Sequence, residues 1–321
     1  MKKIAIFNVG GALSSFAEID GRYLAVDLGK SIDFSPVDNF LLPLANKKQF
    51  KKYTEGEAEG KYYIDQLFLS HLDNDHISDY DKFREHFQAG YMTCPNDNEK
   101  QNNLFKIVLD FFTGENKIQK LVLSDMKTRN ADAPNSYGMS IDNPLVSTFS
   151  EISLFYIRPD ICKNDELKSN YANNLSLVLF FAVNNKTVLM PGDISKEGMG
   201  YLINNYKDFK AKLNNPGIDF LVAPHHGLST SFPEILFKEI NNSKTRLNII
   251  SEKVRTEENK DSENRSIVDS RYYSSDYSTG DNSLKQNAVK TSMGHIVIDL
   301  ETDDNEIKQY QNIEDVIKEF I

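Results

Sequence analysis

The residues best suited to chemistry lie together at positions 67–79. A short apolar run at 67–69 is followed by four side chains that can bind a metal ion, namely His71, Asp73, Asp75 and His76. Because three of them stand at alternate positions, an extended or turning backbone can bring them to one point. Imidazole nitrogens and carboxylate oxygens are the ligands of borderline and hard divalent cations. The stretch therefore predicts a buried strand that opens into a metal-binding loop, with a polar turn of solvated carboxylates as the alternative.

Two later strands also end in potential metal ligands. The apolar hairpin predicted at 175–190 turns at Asn184-Asn185 and ends in Gly192-Asp193. A further predicted strand, 219–223, runs into Pro224-His225-His226-Gly227. Loops at the carboxyl ends of strands are where an α/β scaffold carries its binding groups. We therefore expect the three strand ends to serve one function.

The spacing of apolar and turn residues predicts the elements that must position these groups. Predicted strands cover residues 3–8, 13–19, 22–28, 64–69, 119–124, 145–149, 152–157, 175–183, 187–190, 219–223, 247–250, 295–300 and 305–310. Predicted helices cover the start of 36–50, 79–89, 99–113, 195–213 with Ser195 as N-cap, 232–240 and the C-terminus. Strand-then-helix order in two successive halves indicates a layered α/β sandwich with helices outside.

Length and composition bound the function. The 321 residues are 40% hydrophobic and 26% charged, which is typical of a soluble globular protein, and we expect one domain over residues 1–321 with insertions near 96–144 and 251–284. We expect no membrane segment, since no apolar run approaches about 20 residues. Only Cys94 and Cys162 are present, which favours a cytoplasmic location. The net charge of −10 argues against wrapping long nucleic acid but allows a phosphate substrate beside bound cations.

The order of these motifs resembles the metallo-β-lactamase fold, and most closely the hydrolase domain of ComEC-type competence proteins and their stand-alone relatives. The shared motifs are Ser70-His71-Leu72-Asp73-Asn74-Asp75-His76, Gly192-Asp193 and His225-His226-Gly227, with weaker matches at Asn8-Val9-Gly10, Asp27-Leu28-Gly29, 173–176 and Met293-Gly294-His295-Ile296. The resemblance covers about residues 1–300. It implies an αββα four-layer sandwich with two mixed sheets and outer helices.

The chain departs from the family pattern at three places. Gly11-Ala12-Leu13 stands where the family usually has Gln-Gly-Asp. Leu228 replaces a serine after His-His-Gly, although Thr230 and Ser231 agree again. The wider fold supplies a ligand histidine before the Gly-Asp, where this chain has Asn174.

The resemblance implies two adjacent divalent ions. Its ligand set, carried over by motif, is His71 and Asp73 for the first ion, Asp75, His76 and His225 for the second, and Asp193 bridging both. Because Asp73 and Asn174 stand in place of imidazoles, the first site becomes harder, which favours manganese, with magnesium as a further option and zinc as an alternative in the second site. For His226, a ligand role and a donor role towards substrate both stay open.

Most of the remaining site residues follow from the same resemblance. Arg271 does not, and it is a candidate because an active-site loop could use an arginine to bind phosphate. The expected catalytic residues are Asp75, Asp193 and His226, and the expected substrate-binding residues are Asn174, Thr230, Ser231 and Arg271. Asp27 is expected to orient a ligand histidine. For the other candidate residues we expect a structural role instead of a functional one. His86 is expected at the surface, His295 in a strand, and Tyr272-Tyr273 in side-chain packing.

The leading hypothesis is a metal-dependent hydrolase of phosphodiester bonds, a nuclease or a nucleotide phosphodiesterase, using a hydroxide held by a binuclear centre. The acidic charge favours single-stranded or short nucleic acid or a small nucleotide as substrate. One alternative is a hydrolase of another ester, lactone, thioester or β-lactam. Another is a metal-stabilised binding or sensing module with little turnover. A homo-oligomer is an option, and no partner protein is indicated.

Overall fold

The computed structural model describes residues 1–56, 58–95, 120–123, 138–139, 149–252, 268–281, 284–302 and 307–321. The chain divides into two compact units. The first unit comprises Met1–Ser124 and Met293–Ile321, and the second comprises Asp125–Ser292. Each unit contains one mixed β-sheet together with helices.

The described elements follow one another in this order. The strands are β1 (Lys2–Ile6), β2 (Ser14–Ile19), β3 (Arg22–Leu28), β4 (Tyr62–Phe68), β5 (Phe87–Cys94), β6 (Lys120–Leu123), β7 (Gly138–Met139), β8 (Ile152–Phe155), β9 (Val178–Val183), β10 (Lys186–Met190), β11 (Phe220–Val222), β12 (Leu247–Ile250), β13 (Ala288–Lys290), β14 (His295–Asp299) and β15 (Ile307–Tyr310). The α-helices are α1 (Leu42–Lys48), α2 (Asn74–Ile77), α3 (Tyr80–His86), α4 (Pro159–Cys162), α5 (Tyr171–Asn174), α6 (Lys196–Asn205), α7 (Lys207–Asn214), α8 (Glu234–Glu239) and α9 (Ile313–Glu319).

The sheet of the first unit has the strand order β15-β14-β1-β2-β3-β4-β5-β6. From β15 to β3 the neighbours are antiparallel, and the tight turn at Asp20-Gly21 joins β2 to β3. From β3 to β6 they are parallel, which requires longer crossover connections such as those containing α1 to α3. The carboxyl ends of β3, β4 and β5 therefore lie at one edge of this sheet.

A group of aromatic rings forms part of the core of the first unit. Phe16, Phe40 and Phe320 contact one another with ring centroids 5.4 to 5.6 Å apart, and Phe7 lies 4.8 Å from Phe40. All four side chains are buried. Burial of one such ring stabilises the folded state by about 1.5–3 kcal/mol. Because Phe320 directly follows α9, these contacts hold the C-terminal helix against the sheet.

The sheet of the second unit has the strand order β13-β12-β11-β10-β9-β8-β7. Strands β9 and β10 form a hairpin whose turn residues Asn184 and Asn185 both have positive φ, as a type I′ turn requires. Strands β10 to β13 are parallel, and the segments between β10 and β12 contain α6 to α8. The carboxyl ends of β10 and β11 thus lie at one edge, where Asp193 and the His-His-Gly turn follow.

The predicted class is confirmed: the chain is an α/β protein with two mixed sheets and helices, consistent with the metallo-β-lactamase sandwich fold. Both predicted hairpin turns are present, and Ser195 caps α6 by accepting a hydrogen bond from the backbone N–H of Gly198. Within the described ranges, none of the helices combines the length and apolar character needed to cross a membrane.

Three predictions about local structure were wrong. The helix predicted over 79–89 ends at His86, and Phe87 begins β5, whose buried side chains pack within the sheet. The helix predicted over 195–213 is interrupted at Tyr206, whose hydroxyl donates a hydrogen bond to the carbonyl of Tyr156 over 2.9 Å. Residues 74–77, expected in a loop, form α2.

The predicted helix 99–113 and most of the predicted strand 145–149 lie outside the described residues. The same is true of most of the predicted insertion near 96–144. A single domain with insertions there and near 251–284 stays a prediction.

Candidate metal centre

Asp27 occupies a β-bulge at the end of β3. Ser15 pairs with Val26 and Ser14 pairs with Leu28, so Asp27 is the extra residue between two ladder partners. Its φ of 57° lies in the left-handed region, which aspartate tolerates better than most residues. Bulges of this kind re-aim a side chain. Here the fully buried Asp27 carboxylate is turned towards the neighbouring strand end after β4.

Three buried side chains form a hydrogen-bond network at this edge. Asp27 Oδ1 accepts a hydrogen bond from the Ser70 backbone N–H over 2.6 Å, and Oδ2 accepts one from the Ser70 hydroxyl over 2.8 Å. Asp27 Oδ2 also lies 2.9 Å from His76 Nδ1. When His76 donates its Nδ1 proton to this carboxylate, the lone pair of Nε2 is left to bind a metal ion. The network therefore sets the tautomer that a histidine ligand needs.

The first motif also gathers His71, Asp73 and Asp75. Each offers one ligand atom, and these atoms lie within 4.8 Å of one another. His71 is buried, and the two aspartates are half-buried. The rings of His71 and His76 are 3.9 Å apart between centroids. The short helix α2, with Asp73 at its N-cap, is what brings Asp75 and His76 back towards His71.

Gly29 allows β3 to approach this loop closely. A Cβ atom at this position would stand 2.1 Å from the carbonyl oxygen of Asp75 and 2.6 Å from that of Leu13. The same Asp75 carbonyl accepts a hydrogen bond from the Leu13 backbone N–H over 3.1 Å. The glycine of the Asp27-Leu28-Gly29 motif is therefore required by the packing that fixes α2.

In the second unit, Asp193 lies buried after β10. Its backbone N–H donates a hydrogen bond to the Ser176 hydroxyl over 3.1 Å. The backbone carbonyl of the preceding Gly192 accepts a hydrogen bond from the His225 backbone N–H over 3.1 Å. These bonds join the Gly-Asp motif to the His-His-Gly motif after β11.

Both histidines of that motif reach the same carboxylate. The Nε2 atoms of His225 and His226 each lie 3.7 Å from Asp193 Oδ2. His225 and His226 have φ values of 49° and 58°, a left-handed conformation that costs a non-glycine residue of order 1–3 kcal/mol. Strained backbone of this kind concentrates at functional sites. Gly227 completes the turn with a φ of 77°.

Ser231 contacts His225 in this structure. Its buried hydroxyl lies 3.1 Å from His225 Nδ1, so it can fix the orientation of that ring. Thr230, beside it, is exposed. Ser231 was predicted to bind substrate. The structure shows in addition that it contacts His225, which the sequence did not predict.

Asn174 is fully buried and braces the Gly-Asp loop. Its Nδ2 donates to the Leu167 carbonyl over 2.9 Å, and its Oδ1 accepts hydrogen bonds from the backbone and hydroxyl of Ser195. Ser195 in turn caps α6, which begins at Lys196, three residues after Asp193. A substrate contact by Asn174 would require the side chain to give up these bonds.

Arg271 is engaged by neighbouring side chains. It makes two hydrogen bonds to the Asp269 carboxylate, lies 3.5 Å from a Glu234 carboxylate oxygen, and stacks 3.7 Å above the Phe232 ring. The hydrogen bonds of Arg271 hold the pKa of Asp269 below its usual value. Asp269 also donates its backbone N–H to the Gly227 carbonyl, so this segment supports the His-His-Gly turn. Tyr272 is buried among the same aromatic rings, as the packing interpretation predicts.

The donor set fits divalent cations. Around a tetrahedral ion with bonds of 2.0–2.3 Å, ligand atoms stand roughly 3–4 Å apart. The ligand atoms of His71, Asp73 and Asp75 lie within 4.8 Å of one another. The Nε2 atoms of His225 and His226 lie 3.7 Å from Asp193 Oδ2. Only small adjustments of these side chains are needed to reach the spacing around an ion. Clustered carboxylates repel one another, and a bound cation offsets that repulsion.

Comparisons with known proteins give similar solved structures. Neither the protein-family models nor the curated proteins gave a match to this chain. One similar structure is the metallo-β-lactamase fold protein YhfI from Bacillus subtilis, with 14% sequence identity, coverage of 81% of this chain and 90% of that chain, and a TM-score of 0.40. A second is a diphosphatase of the PhnP family, with 11% identity, coverage of 79% of this chain and 87% of that chain, and a TM-score of 0.39. A third is human tRNase Z, short form, with 11% identity, coverage of 69% of this chain and 77% of that chain, and a TM-score of 0.33. Because these TM-scores lie below 0.5, the fold class rests on the sheet topology, and no activity is transferred.

Proposed function

We propose that this chain is a metal-dependent hydrolase of phosphodiester bonds. The observation that carries the proposal is the buried Asp27–His76 contact beside the cluster of His71, Asp73 and Asp75. A carboxylate that holds a histidine in the metal-binding tautomer, next to further imidazole and carboxylate donors, is the usual construction of a hydrolytic metal site.

Two divalent ions are proposed, held by residues of all three motifs. His71 and Asp73 would hold the first ion, Asp75 and His76 would hold the second, and Asp193 would contribute to both. His225 or His226 completes the second site, since both stand at the same distance from Asp193. Bound divalent ions supply Lewis acidity and lower the pKa of water towards neutrality.

The metals proposed are manganese and zinc, with magnesium as a further option. Asp73 and Asp75 make the first motif rich in oxygen donors, which suit manganese or magnesium. His76 and the histidine pair provide the imidazoles that zinc prefers. The two positions therefore differ in hardness, and a mixed occupancy follows.

The proposed substrates are single-stranded or short nucleic acid or a small nucleotide. The supporting observations are the resemblance of the motifs to ComEC-type hydrolase domains and the net charge of −10, which disfavours the long phosphate tracts of duplex nucleic acid. The cytoplasm is the proposed location because only two cysteines occur, Cys94 and Cys162, and both are buried.

Hydrolysis of bis(4-nitrophenyl) phosphate in the presence of manganese tests the proposal. We expect turnover by the wild-type chain and a loss of at least about a hundredfold in His71→Ala and Asp193→Ala, each checked for folding by circular dichroism. Asp165→Ala is the matched control, because that carboxylate is 93% exposed and belongs to none of the motifs.

The outcomes separate the function classes. Turnover of lactones or thioesters without any turnover of phosphodiesters would replace the proposal with the other class of ester hydrolase. A folded, metal-loaded protein that cleaves none of these substrates would replace it with the binding module.

A further inference from the structure

A pocket with both polar and apolar lining residues opens beside the first motif, within the first unit. Its volume is about 490 Å³, within the range of about 300–1,000 Å³ that small-molecule sites occupy. The walls come from the segment after β3 and from the residue that ends α2. The lining residues that matter here are Lys30, Ser31, Asp33, Asp38, Asn39 and Ser78.

Hydrogen bonds join this pocket to the segment that carries the ligands Asp75 and His76. The Lys30 backbone N–H donates to the Ser78 hydroxyl over 3.0 Å, and the Asp79 backbone N–H donates to the Leu28 carbonyl over 2.7 Å. Ser78 stands three residues after Asp75 at the end of α2, so their Cα atoms are about 5 Å apart at the helical rise of 1.5 Å per residue. A molecule whose phosphate lies at the metal site proposed around Asp75 can therefore reach the pocket with its next group.

The side chain of Lys30, which lines the pocket, is paired with a buried carboxylate. Lys30 Nζ lies 3.5 Å from Asp79 Oδ1, and the Asp79 side chain is fully buried. Asp79 Oδ2 accepts hydrogen bonds from the Ser35 hydroxyl over 2.6 Å and from the Val37 backbone N–H over 3.0 Å. Removing Lys30 from this carboxylate would leave a buried charge unbalanced, which is costly.

The other charged lining groups are carboxylates. Asp33 and Asp38 face the pocket, and Ser31 and Asn39 add a hydroxyl and an amide. Because Lys30 is paired with Asp79, the two exposed carboxylates leave the lining with an excess of negative charge, which disfavours a phosphate. Carboxylate acceptors instead suit a group rich in O–H or N–H donors. The lining thus selects an uncharged, hydroxyl-bearing occupant.

We propose that this pocket binds the sugar of a nucleoside whose phosphate is the reacting group, an inference that rests on the proposed function. A free hydroxyl of that sugar donates to Asp38 or Asp33, and Asn39 adds a further hydrogen bond. A second phosphate on that sugar meets the carboxylates and is rejected. The site therefore favours a terminal nucleoside or a small nucleotide over an internal position in a long strand.

Two substrates with the same leaving group test this inference. They are the 4-nitrophenyl ester of thymidine 5′-phosphate and bis(4-nitrophenyl) phosphate, and the measured quantity is the ratio of their kcat/KM values. We expect the ratio to fall about tenfold in Asp38→Asn, which removes a charged acceptor, and in Ser31→Phe, which fills the pocket. Asp165→Asn is the matched control, and the ratio should stay within about twofold of wild type there.

The occupant's charge is tested with the 3′-phosphorylated form of the thymidine ester. We expect wild type to cleave it at least about fivefold less efficiently and Asp38→Asn to recover part of that loss. If wild type cleaves the 3′-phosphorylated ester as well as or better than the unphosphorylated ester, the proposal that the occupant is uncharged is wrong. If the ratio does not change in Asp38→Asn and Ser31→Phe, the proposal that the pocket binds the nucleoside sugar is wrong, but the proposed hydrolase activity is not contradicted. If wild type cleaves neither diester, the proposed function fails and the inference falls with it.

Discussion

The Asp27 carboxylate lies 2.9 Å from Nδ1 of His76, and both side chains are fully buried. This contact predicts the effect of Asp27→Asn. An asparagine amide that faces His76 donates to Nδ1, so the proton moves to Nε2 and blocks the metal-binding atom. We expect metal affinity to fall by about 10–100-fold, measured by competition with a chromophoric chelator. Asp165→Asn serves as the control, and an unchanged affinity in Asp27→Asn would contradict the role given to this carboxylate.

Ser231→Ala should weaken the centre through His225. The substitution removes the hydroxyl 3.1 Å from His225 Nδ1 and leaves the ring free to rotate. We expect metal affinity to fall by about tenfold, and hydrolysis at saturating metal to recover towards the wild-type rate. Ser229→Ala removes an exposed hydroxyl two residues away and should change neither quantity. A loss of activity that saturating metal does not restore would instead favour direct substrate contact by Ser231.

Glu319 should stabilise the first unit above acidic pH. Burial raises the pKa of its carboxyl, but hydrogen bonds from Lys3, Lys308 and Tyr310 outweigh this and hold it at about 2. Because the folded-state pKa is below the ordinary value of 4.5, the stabilisation is present above that pH and is lost as pH falls towards 2. Glu319→Gln should lower the free energy of unfolding by about 2 kcal/mol at pH 7 and by much less at pH 2.5.

Urea unfolding across this pH range measures the effect. Glu314→Gln is the matched control, because Glu314 forms only an exposed ion pair with Lys47, worth about 0–1 kcal/mol. A difference between Glu319→Gln and wild type that does not depend on pH would contradict the pKa argument.

His295 should make the same unit sensitive to mild acid. Desolvation by burial lowers the pKa of this imidazole from 6.5 to about 4, and its Nδ1 accepts a hydrogen bond from the Asn8 backbone N–H. The unfolded chain therefore binds a proton at a higher pH than the folded chain does, and stability is lost as pH falls from 6.5 to 4. His295→Asn should flatten the slope of the unfolding free energy between these values. His86→Asn, at a half-buried position of α3, is the matched histidine control.

The sequence was informative where local chemistry decides the structure. Paired residues that adopt positive φ predicted the turns at Asp20-Gly21 and Asn184-Asn185, and an apolar run followed by ligands predicted the end of β4. Strand β5 was missed because Phe87 follows α3 with no turn residue between them. The break at Tyr206 was missed because apolar spacing continues through it, while the hydrogen bond of its hydroxyl to the carbonyl of Tyr156 joins residues far apart in sequence.

In the candidate site too, the sequence predicted what depends on residue type and missed what depends on tertiary packing. Side-chain type and spacing identified His71, Asp73 and their neighbours as potential ligands, since ligand chemistry is a property of the residues themselves. The bulge that turns Asp27 towards His76 depends on how β2 pairs with β3, and one strand read alone does not reveal its register. The burial of Asn174 likewise depends on packing against Ser195, which only the folded chain shows.

Metal content after loading with manganese and zinc tests the central claim most directly. The protein is dialysed free of unbound metal and measured by inductively coupled plasma mass spectrometry. The account predicts close to two ions per wild-type chain and a clear loss in Asp193→Ala, because that carboxylate is proposed to bridge both ions. A folded wild-type chain that retains no manganese or zinc would contradict the metal centre and the hydrolase built on it.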